Sequence, residues 1–522
     1  MAMNRREFIV GTGLAGASLA LPARSKSASG PNILHIMVDQ MQGAAIAGRT
    51  ACRTPHINQL ASEGILFDRS YTASAVCCPA RAILCTGAFH WHNGVFNQVH
   101  SSPSVHRDMF PDVVTYSARL REAGYRQGYV GKWHASFLRT PLDFGYDEIA
   151  APNSYNPRLL RGIDSNPDRV PPPREGAFQR HVDRTFTWPG SQPFAMWGHL
   201  DGPEEATREY WIAESGIRMM KRFAAQSRPW HLEIQFLAPH DAYMPLTKYL
   251  ERWDPSSIPV PESFHDSFAG KPGLHKRESE TWGRITEEDY RQGRAHYYAY
   301  CEQVDDQIGR ILAALDETGQ AANTLVTFSA DHGDMVGAHR MWIKGWIPYE
   351  ECYRVPLVMR WPAGIKPGLR SSRLVHVHDL AYTYLDAAGA APLRYEEGRS
   401  LLPLAEEPGR ADWPDHILCA YYGGEFLYTQ RIAITERYKY VFNGFDFDEL
   451  YDLEKDPQEM HNRVFDPAHA EIADDMRARL YQLMAQFGDP FGDPSPRFNM
   501  PDSSPPNRYG APRYLPRGKR RN

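Results

Sequence analysis

Short apolar runs, most of them ending in polar residues, recur along the first two thirds of the chain. The first, Ile33-Leu34-His35-Ile36-Met37-Val38, leads directly into Asp39-Gln40. Comparable runs cover residues 126–130, 232–237, 323–329 and 355–360. Continuous runs of this length are typical of strands buried on both faces, as in parallel sheets.

Helical patterns alternate with these runs. Residues 56–63 and 114–123 read as helices closed by Gly64 and Gly124, and residues 290–315 carry a long helical apolar period. The alternation predicts an α/β fold with a mostly parallel, doubly wound sheet flanked by helices. Ligands bind such sheets at the C-terminal ends of strands, where this chain places its polar residues.

The main domain is predicted to span residues 31–409, with two irregular insertions. These insertions, at about 151–230 and 254–285, are rich in Pro and poor in regular patterns. Insertions of this length in a compact domain are usually functional loops. We expect them to wall the substrate pocket.

The pattern changes after about residue 410. Residues 431–443 alternate like strands, 450–453 resembles an edge strand, and 468–486 forms an amphipathic helical pattern. These features predict a smaller α+β subdomain over residues 410–487. The Pro-rich remainder, 488–522, is predicted to be an extended tail.

Composition excludes several classes of protein. The 522 residues are 42% hydrophobic and 23% charged, as in a globular protein, and a net charge of −5 argues against a dedicated nucleic-acid binder. The seven cysteines lack paired Cys-x-x-Cys spacing, which argues against a structural zinc site. No segment is long and apolar enough to predict a transmembrane helix in the mature chain.

The N-terminus resembles a twin-arginine export signal. Arg5-Arg6 precede an apolar, Gly/Ala-rich run from Ile9 to Leu21, with plausible cleavage after Ala23 or Ala28. Residues 1–28 are therefore interpreted as a targeting segment. The resemblance implies a periplasmic or secreted protein.

The most informative stretch is Cys77-Cys78-Pro79-Ala80-Arg81, which runs on to Thr86-Gly87. Pro79 suits the first position of a helix and Gly87 the residue just past its end. A helix N-terminus attracts anions, and the Arg81 side chain leans back toward that end. The stretch therefore predicts a nucleophilic thiol in an anion-binding pocket.

Cys-x-Pro-x-Arg followed by Thr-Gly resembles the motif of the sulfatase family. The resemblance spans roughly residues 31–487 and includes the run from Leu450 to Glu459. It implies the alkaline phosphatase-like fold and oxidation of Cys77 to formylglycine by a formylglycine-generating enzyme. One hydroxyl of the hydrated aldehyde would attack the sulfur of a sulfate ester, and the second would then expel sulfate.

Two carboxylates predicted to follow strands indicate a cation site. Asp39 and Asp331 can share one divalent ion, because unpaired neighbouring carboxylates would raise each other's pKa. The resemblance implies Asp39, Gln40, Asp331, His332 and the converted Cys77 as metal ligands. Oxygen ligands favour Ca²⁺, our first expectation, or Mg²⁺, whereas Gln40 and His332 soften the site toward Mn²⁺ or Zn²⁺.

The resemblance also implies the remaining catalytic residues. Lys132 would bind sulfate oxygens, and His134 would accept a proton from the second hydroxyl. His240 would lie near the leaving oxygen, and Lys344 would bind sulfate and assist the leaving group. With Arg81, these cations would neutralise a sulfate monoester, and preorganised charge of this kind is usually the largest catalytic contribution.

Three functions remain open from the sequence. The first is hydrolysis of a carbohydrate or aryl sulfate, with a sulfated small molecule or glycan as partner. The second is hydrolysis of phosphonate monoesters or phosphodiesters on the same scaffold, whose enzymes share the Asp-Gln and Asp-His pairs. The third is a catalytically silent protein that binds sulfated glycans. We interpret His92 and His100 as ordinary loop residues, and Trp188, Trp197 and Trp211 as core residues rather than stacking platforms.

Overall fold

The computed structural model of the protein describes residues 30–102, 104–153, 167–168, 176–187, 192–344, 347–424, 427–444 and 446–492. The predicted signal segment, most of the tail, Trp188 and part of the first insertion lie outside the described residues.

The strands, in chain order, are β1 (Asn32–Val38), β2 (Ile65–Tyr71), β3 (Arg126–Lys132), β4 (Glu148–Asn153), β5 (Gln179–Phe186), β6 (Phe194–Asp201), β7 (Trp230–Gln235), β8 (Thr324–Ala330), β9 (Leu357–Arg360), β10 (Leu369–His376), β11 (His416–Tyr421), β12 (Gln430–Thr435), β13 (Tyr438–Asn443) and β14 (Glu449–Asp452). The helices are α1 (Pro55–Ser62), α2 (Cys77–Thr86), α3 (His90–Asn93), α4 (Tyr116–Glu122), α5 (Arg208–Ala224), α6 (Thr247–Leu250), α7 (Gly273–Thr281), α8 (Glu287–Glu317), α9 (Glu350–Tyr353), α10 (Asp379–Ala388), α11 (Leu402–Glu406) and α12 (Ala470–Gln486).

The main sheet has eight strands in the order β10-β2-β9-β8-β1-β7-β3-β4. Its pairs are parallel except where β9 runs antiparallel to β2 and β8. Helix α5 packs on β3 and β7 and against α8, while α4 packs on β3 and against α10. The predicted mostly parallel α/β sheet with flanking helices is therefore confirmed.

The C-terminal sheet is antiparallel, in the order β11-β12-β13-β14, with α12 packed on β11, β12 and β13. Buried Lys439, on β13, joins this sheet to the main domain. Its Nζ lies 2.8 Å from Glu350 on α9 and 2.8 Å from Glu459. A smaller α+β subdomain is thus present and fastened through a buried charge.

Strand order explains why the site forms where it does. β8, β1, β7 and β3 are consecutive parallel neighbours, so their C-terminal ends share one edge of the sheet. Asp39 follows β1, Asp331 follows β8, and Lys132 ends β3. Residues far apart in sequence are brought together at this edge.

Helix α2 supplies the last part of the site. It begins at Cys77, two residues before the expected start, so Pro79 stands inside the first turn, where its missing N–H leaves no bond unmade. The helix ends at Gly87, whose φ of 62° is left-handed. A Cβ there would lie 2.6 Å from Leu393 Cδ1, so both conformation and space require glycine.

The pattern did not predict β2, β4, β10 or the β5–β6 hairpin. β10 and β4 are the edges of the main sheet, and β2 carries Asp68 and Arg69 at its centre. Strand β5 is mostly exposed. Strands with polar residues facing water lack the continuous apolar run that reveals a buried strand.

Buried ionic contacts anchor the second insertion. Asp266 accepts a hydrogen bond from His339 Nδ1 at 2.8 Å and pairs with Lys271. His275 Nε2 lies 2.9 Å from Glu449 on β14. The insertion thereby contacts both the segment that leads to Lys344 and the C-terminal sheet, while its role in the substrate pocket stays a prediction.

Acid should destabilise the fold through His339. Burial lowers its pKa from 6.5 to about 4, with Asp266 opposing and Lys271 adding to the shift. Below about pH 6.5 the unfolded chain binds this proton while the folded chain does not, so stability falls as pH falls toward 4. We expect a loss of about 2–3 kcal/mol between pH 6.5 and 4.5 from this group.

Urea unfolding at both pH values measures this contribution. His339→Gln should reduce the loss by that amount, whereas His265→Gln should not, because His265, beside Asp266 on the second insertion, is 61% exposed. Equal acid sensitivity in the parent and His339→Gln would contradict the assignment.

Among the described residues, no helix combines the length and apolarity needed to cross a bilayer.

Candidate active site

Four buried groups converge at the C-terminal edge of the main sheet. Asp39, Cys77, Asp331 and His332 each offer one donor atom, and these atoms lie within 4.8 Å of one another. His332 Nδ1 donates to the Gly333 carbonyl at 2.8 Å, which directs Nε2 toward the other three groups. That Nε2 lies 3.1 Å from Cys77 Sγ and 3.8 Å from an oxygen of each carboxylate.

This donor set fits a divalent cation. Two carboxylates and an imidazole nitrogen surround residue 77, and all four residues are buried. Carboxylate oxygens suit Ca²⁺ and Mg²⁺, and the imidazole extends the range to Mn²⁺ and Zn²⁺. The identity of the ion stays a prediction.

Gln40 links the carboxylates to Lys344. Its backbone N–H donates to Asp331 Oδ1 at 3.1 Å, and its side-chain amide donates to Asp241 and Asp334 at 2.9 and 2.5 Å. Its carbonyl oxygen accepts from Lys344 Nζ at 2.7 Å. The structure thus shows a bridging side chain, and a role for Gln40 as a metal ligand stays a prediction.

Arg81 holds the two carboxylates in place. Its guanidinium donates to Asp331 at 2.8 Å and Asp39 at 2.9 Å, and also to the Lys132 carbonyl and Gln235 Oε1 at 3.0 and 3.1 Å. These four bonds use most of its donors. Arg81 therefore orients Asp39 and Asp331, whereas the sequence predicted that it binds the substrate.

A buried polar network supports Arg81 from behind. The Gln235 amide donates to Glu233, which also pairs with His35 Nδ1 at 2.9 Å and accepts from Tyr116. His35 in turn lies 2.9 Å from Ser329 Oγ. Because every bond in the network fixes the next, the guanidinium is held in one orientation.

Gln235→Met should weaken catalysis without unfolding the protein. Arg81 would lose one acceptor, and loss of such outer partners typically costs about 10- to 100-fold in activity or metal affinity. Steady-state kcat/KM for a sulfate ester measures the effect. Gln303→Met is the control, because Gln303 is equally buried but bonds to Leu246 on another part of the fold. Equal losses in both variants would mean that the effect is structural.

The pocket favours an anion at residue 77. Burial opposes ionisation of the Cys77 thiol, but Lys132, Lys344, His332 and a hydrogen bond with His134 outweigh burial, so its pKa lies well below the ordinary value. Lys132 Nζ donates to Asp39 Oδ2 at 2.5 Å. The N-terminus of α2 adds its own positive potential.

His134 is a neutral base beside residue 77. Burial and then Lys132 lower its pKa to about 3, against an opposing hydrogen bond with Cys77. Its Nε2 lies 2.8 Å from His100 Nδ1, and the two rings stack at 4.7 Å. Gln40 and His134 both hold left-handed backbone, with φ of 69° and 57°, a strained conformation that clusters at functional sites.

His240 and Lys344 form the less buried rim of the site. Lys344 Nζ lies 2.6 Å from His240 Nε2, so the ammonium donates to that lone pair. His240 Nδ1 in turn donates to the Asp241 carbonyl at 2.6 Å. Both side chains are only partly covered, which places the entrance of the pocket here.

The structure therefore brings together every predicted site residue and adds several. His100, interpreted as an ordinary loop residue, joins the site through His134, whereas His92 pairs with Glu397 and stacks on Tyr395 at 4.0 Å. Trp197 and Trp211 are buried in the core. Gln235, Asp241 and Asp334 were missed, although each lies within three residues of a predicted strand end or site residue.

Comparison with known proteins gives a consistent result. A family profile described as Sulfatase matches residues 31–390, and one described as N-sulphoglucosamine sulphohydrolase, C-terminal, matches residues 337–486. A sulfatase of Escherichia coli (strain K12) is 28% identical, covering 88% of both chains.

Two further relatives carry substrate names. An N-acetylglucosamine-6-O-sulfatase of Bacteroides thetaiotaomicron is 26% identical, covering 91% of this chain and 89% of its own. A choline-sulfatase of Rhizobium meliloti is 28% identical, covering 87% and 88%.

Solved structures share the fold. One, in complex with its substrate D-glucosamine-2-N,6-O-disulfate, has a TM-score of 0.70 at 24% identity and covers 89% of this chain and 100% of its own. The phosphonate monoester hydrolase of Agrobacterium radiobacter also has a TM-score of 0.70 at 24% identity, covering 88% and 96%.

Proposed function

This chain belongs to the sulfatase family and is a sulfuric ester hydrolase, and from that premise we propose that it cleaves a carbohydrate or aryl sulfate monoester in the pocket around Cys77. The observation that carries the proposal is the pair of lysines that converge on residue 77. Lys132 and Lys344 oppose the cost of burying a negative charge there. A sulfate monoester brings negative charge to this position, so charges arranged in advance stabilise it.

Sulfatases generally use formylglycine and a divalent metal, and we propose both here. Asp39, Asp331, His332 and residue 77 would hold the ion, which would neutralise charge on the sulfate group and on the attacking oxygen. Conversion of Cys77 by a formylglycine-generating enzyme would supply, after hydration, a hydroxyl nucleophile together with a second hydroxyl that allows regeneration.

The chain's own residues then have distinct tasks. Lys132 and Lys344 bind sulfate oxygens, and Arg81 keeps Asp39 and Asp331 oriented. His134, uncharged and hydrogen bonded to residue 77, accepts a proton there. His240 and Lys344, 2.6 Å apart at the entrance, deliver a proton to the departing oxygen.

Relatives narrow the choice of substrate. The named N-acetylglucosamine-6-O-sulfatase and choline-sulfatase act on sulfate monoesters, and the neighbour bound to D-glucosamine-2-N,6-O-disulfate has the same fold. We propose a sulfated amino sugar or other small sulfated carbohydrate as the first class to assay.

A substrate panel tests the function. Purified protein, with conversion of Cys77 verified by mass spectrometry, is assayed on 4-nitrophenyl sulfate, glucosamine 6-sulfate, choline sulfate, an aryl phosphodiester and an aryl phosphonate monoester. We expect kcat/KM for the preferred sulfate to exceed that for either phosphorus ester by at least about 100-fold, since each tenfold preference needs only about 1.4 kcal/mol.

Two results would replace the proposal. A preference for the phosphorus esters would assign the second function, which the Asp39-Gln40 and Asp331-His332 pairs also permit. Binding of sulfated glycans without turnover, together with unmodified Cys77 in protein from the native host, would assign a silent binding protein.

We also propose export through the twin-arginine route, supported by Arg5-Arg6 and the apolar run that follows. Cell fractionation of the parent and of an Arg5→Lys, Arg6→Lys variant tests this. The parent should appear in the periplasm or medium, and the variant should be retained in the cytoplasm.

A further inference from the structure

A second group of metal-ligating side chains lies outside the residues around Cys77. It is formed by the β5–β6 hairpin and helix α8 and contains His181, Asp183, His199, Asp201 and His296. These fall into two triads that share His199, and within each triad the donor atoms lie within 4.8 Å of one another.

Asp183 is the centre of the tighter triad. His296 Nε2 lies 2.9 Å from Asp183 Oδ2, and His199 Nδ1 lies 3.1 Å from the same oxygen. His181 belongs to the other triad, where its Nε2 lies 2.8 Å from Asp201. The rings of His181 and His199 stack at 4.6 Å with an 11° angle.

The tautomer of His296 makes this arrangement incomplete without a cation. Its Nδ1 lies 2.7 Å from the Gln292 carbonyl, which can only accept, so Nδ1 carries the proton. A neutral ring then directs the Nε2 lone pair at a carboxylate oxygen, and two acceptors face each other. Only a second proton or a metal ion between them relieves this conflict.

A metal ion relieves the conflict without a second proton on the ring. His296 is 2% exposed, so the surrounding fold holds its Nε2 in this position. Asp183 offers one carboxylate oxygen to both rings, 2.9 Å from His296 Nε2 and 3.1 Å from His199 Nδ1. A neutral imidazole and a carboxylate are the forms that ligate metals.

The triad joins two elements that are distant in sequence. β5 and β6 carry Asp183 and His199, whereas His296 is on α8. The rings of His296, Trp197 and Trp342 form a continuous row, with centroids 6.4 and 5.0 Å apart. An ion here would fasten the β5–β6 hairpin to helix α8, next to the row of rings that ends at Trp342, two residues before Lys344.

We propose that Asp183, His199 and His296 form a second metal site that binds zinc or a similar borderline first-row ion. Imidazole and carboxylate ligands suit such ions, and imidazole nitrogen disfavours the hard cations Ca²⁺ and Mg²⁺. The fourth position is left for water, or for His181 after a side-chain rotation. The site shares no residue with the cluster around Cys77.

Zinc binding to the full chain tests the site. Protein saturated with calcium is dialysed against buffered zinc, and bound zinc is counted by mass spectrometry for the parent, His199→Ala and Asp183→Asn. We expect the parent to bind one zinc equivalent more than either variant, or the variants to bind it at least about 100-fold more weakly, since loss of an outer partner alone costs 10- to 100-fold. Zinc should also raise the Tm of the parent only.

The controls separate this site from the active site and from misfolding. His265→Ala removes an exposed histidine beside a single carboxylate, at 3.5 Å from Glu287, and should bind zinc as the parent does. Zinc-free sulfatase activity should be unchanged in both test variants, which shows that they fold. The proposal is overturned if His199→Ala and Asp183→Asn keep the parent's zinc stoichiometry and affinity. It is also overturned if the only zinc that the parent binds is zinc that has replaced bound calcium.

Discussion

Cys77→Ala should abolish turnover of sulfate esters, with kcat/KM reduced by at least about 10⁴-fold, because removing a covalent nucleophile costs about as much as removing the whole catalytic group. The expectation follows from the geometry at the start of α2. Cys77 Sγ lies 3.1 Å from His332 Nε2 and 3.9 Å from Asp39 Oδ1. Alanine leaves those groups and the cations in place but supplies no attacking atom.

Cys77→Ser separates attack on sulfur by the first hydroxyl from release of sulfate by the second. Serine keeps one hydroxyl, so it can still attack sulfur, but it has no second hydroxyl to return the side chain to its starting state. We expect no multiple turnover. A burst of at most one product per active site, followed by a sulfated peptide in the mass spectrum, would identify the missing step.

Cys85→Ala is the matched control for both variants. Cys85 is buried on the same helix, and burial, followed by Glu233, raises the pKa of its thiol. An inert thiol of this kind contributes packing only. If Cys85→Ala lost activity as strongly as Cys77→Ala, or if Cys77→Ala retained the parent's rate, residue 77 could not be the nucleophile.

Arg81→Met should damage both stability and catalysis. Asp39 and Asp331 would lose the guanidinium that stands 2.9 and 2.8 Å from them. Leaving a buried charge without its partner costs about 3–5 kcal/mol in unfolding free energy. We expect kcat/KM of the folded protein to fall by about 10²–10³-fold, as when one preorganised electrostatic contact is removed.

Arg81→Lys tests whether geometry or charge matters. A lysine restores one positive charge but cannot form the forked set of bonds to Asp331, Asp39 and Gln235. It should recover part of the stability and little of the activity. Full recovery of kcat/KM by lysine would show that Arg81 acts only as a charge.

Arg431→Met distinguishes the effect of Arg81→Met on stability from its effect on catalysis. Arg431 is also fully buried and pairs with Asp489, but it lies in the C-terminal sheet. It should lower the Tm by a similar amount while the folded fraction keeps its kcat. Equal loss of kcat in both variants would place the effect of Arg81 in global folding rather than in the site.

The sequence was most informative where burial leaves a continuous signal. β1, β7 and β8 are buried along their whole length, so apolar runs revealed them and the polar residues that follow. The same logic fails at the margins of the sheet. β10 has no strict alternation, because Arg370 is exposed and Arg373 is half-buried. β5 is exposed along most of its length.

Side-chain roles were less predictable than positions. Arg81 was expected to contact substrate, yet its bonds are taken by carboxylates and by Gln235, a residue inside a predicted strand. His100 could not be distinguished from an ordinary loop residue, because only the fold places it on His134. Local patterns locate residues at strand ends, but the pairing of distant side chains depends on the assembled sheet.

The ammonium group of Lys439 limits how this enzyme can be truncated or divided into separate domains. It lies between Glu350 of the main domain and Glu459, both 2.8 Å away. A truncated protein that stops near residue 409 would leave Glu350 with one fewer cation and would expose Ala73, Ile83 and Phe89, which pack in one apolar cluster with the C-terminal sheet. The C-terminal sheet is therefore no detachable module, and attempts to produce the catalytic half alone, or to exchange C-terminal halves between relatives, must carry this lysine and its two acidic neighbours together.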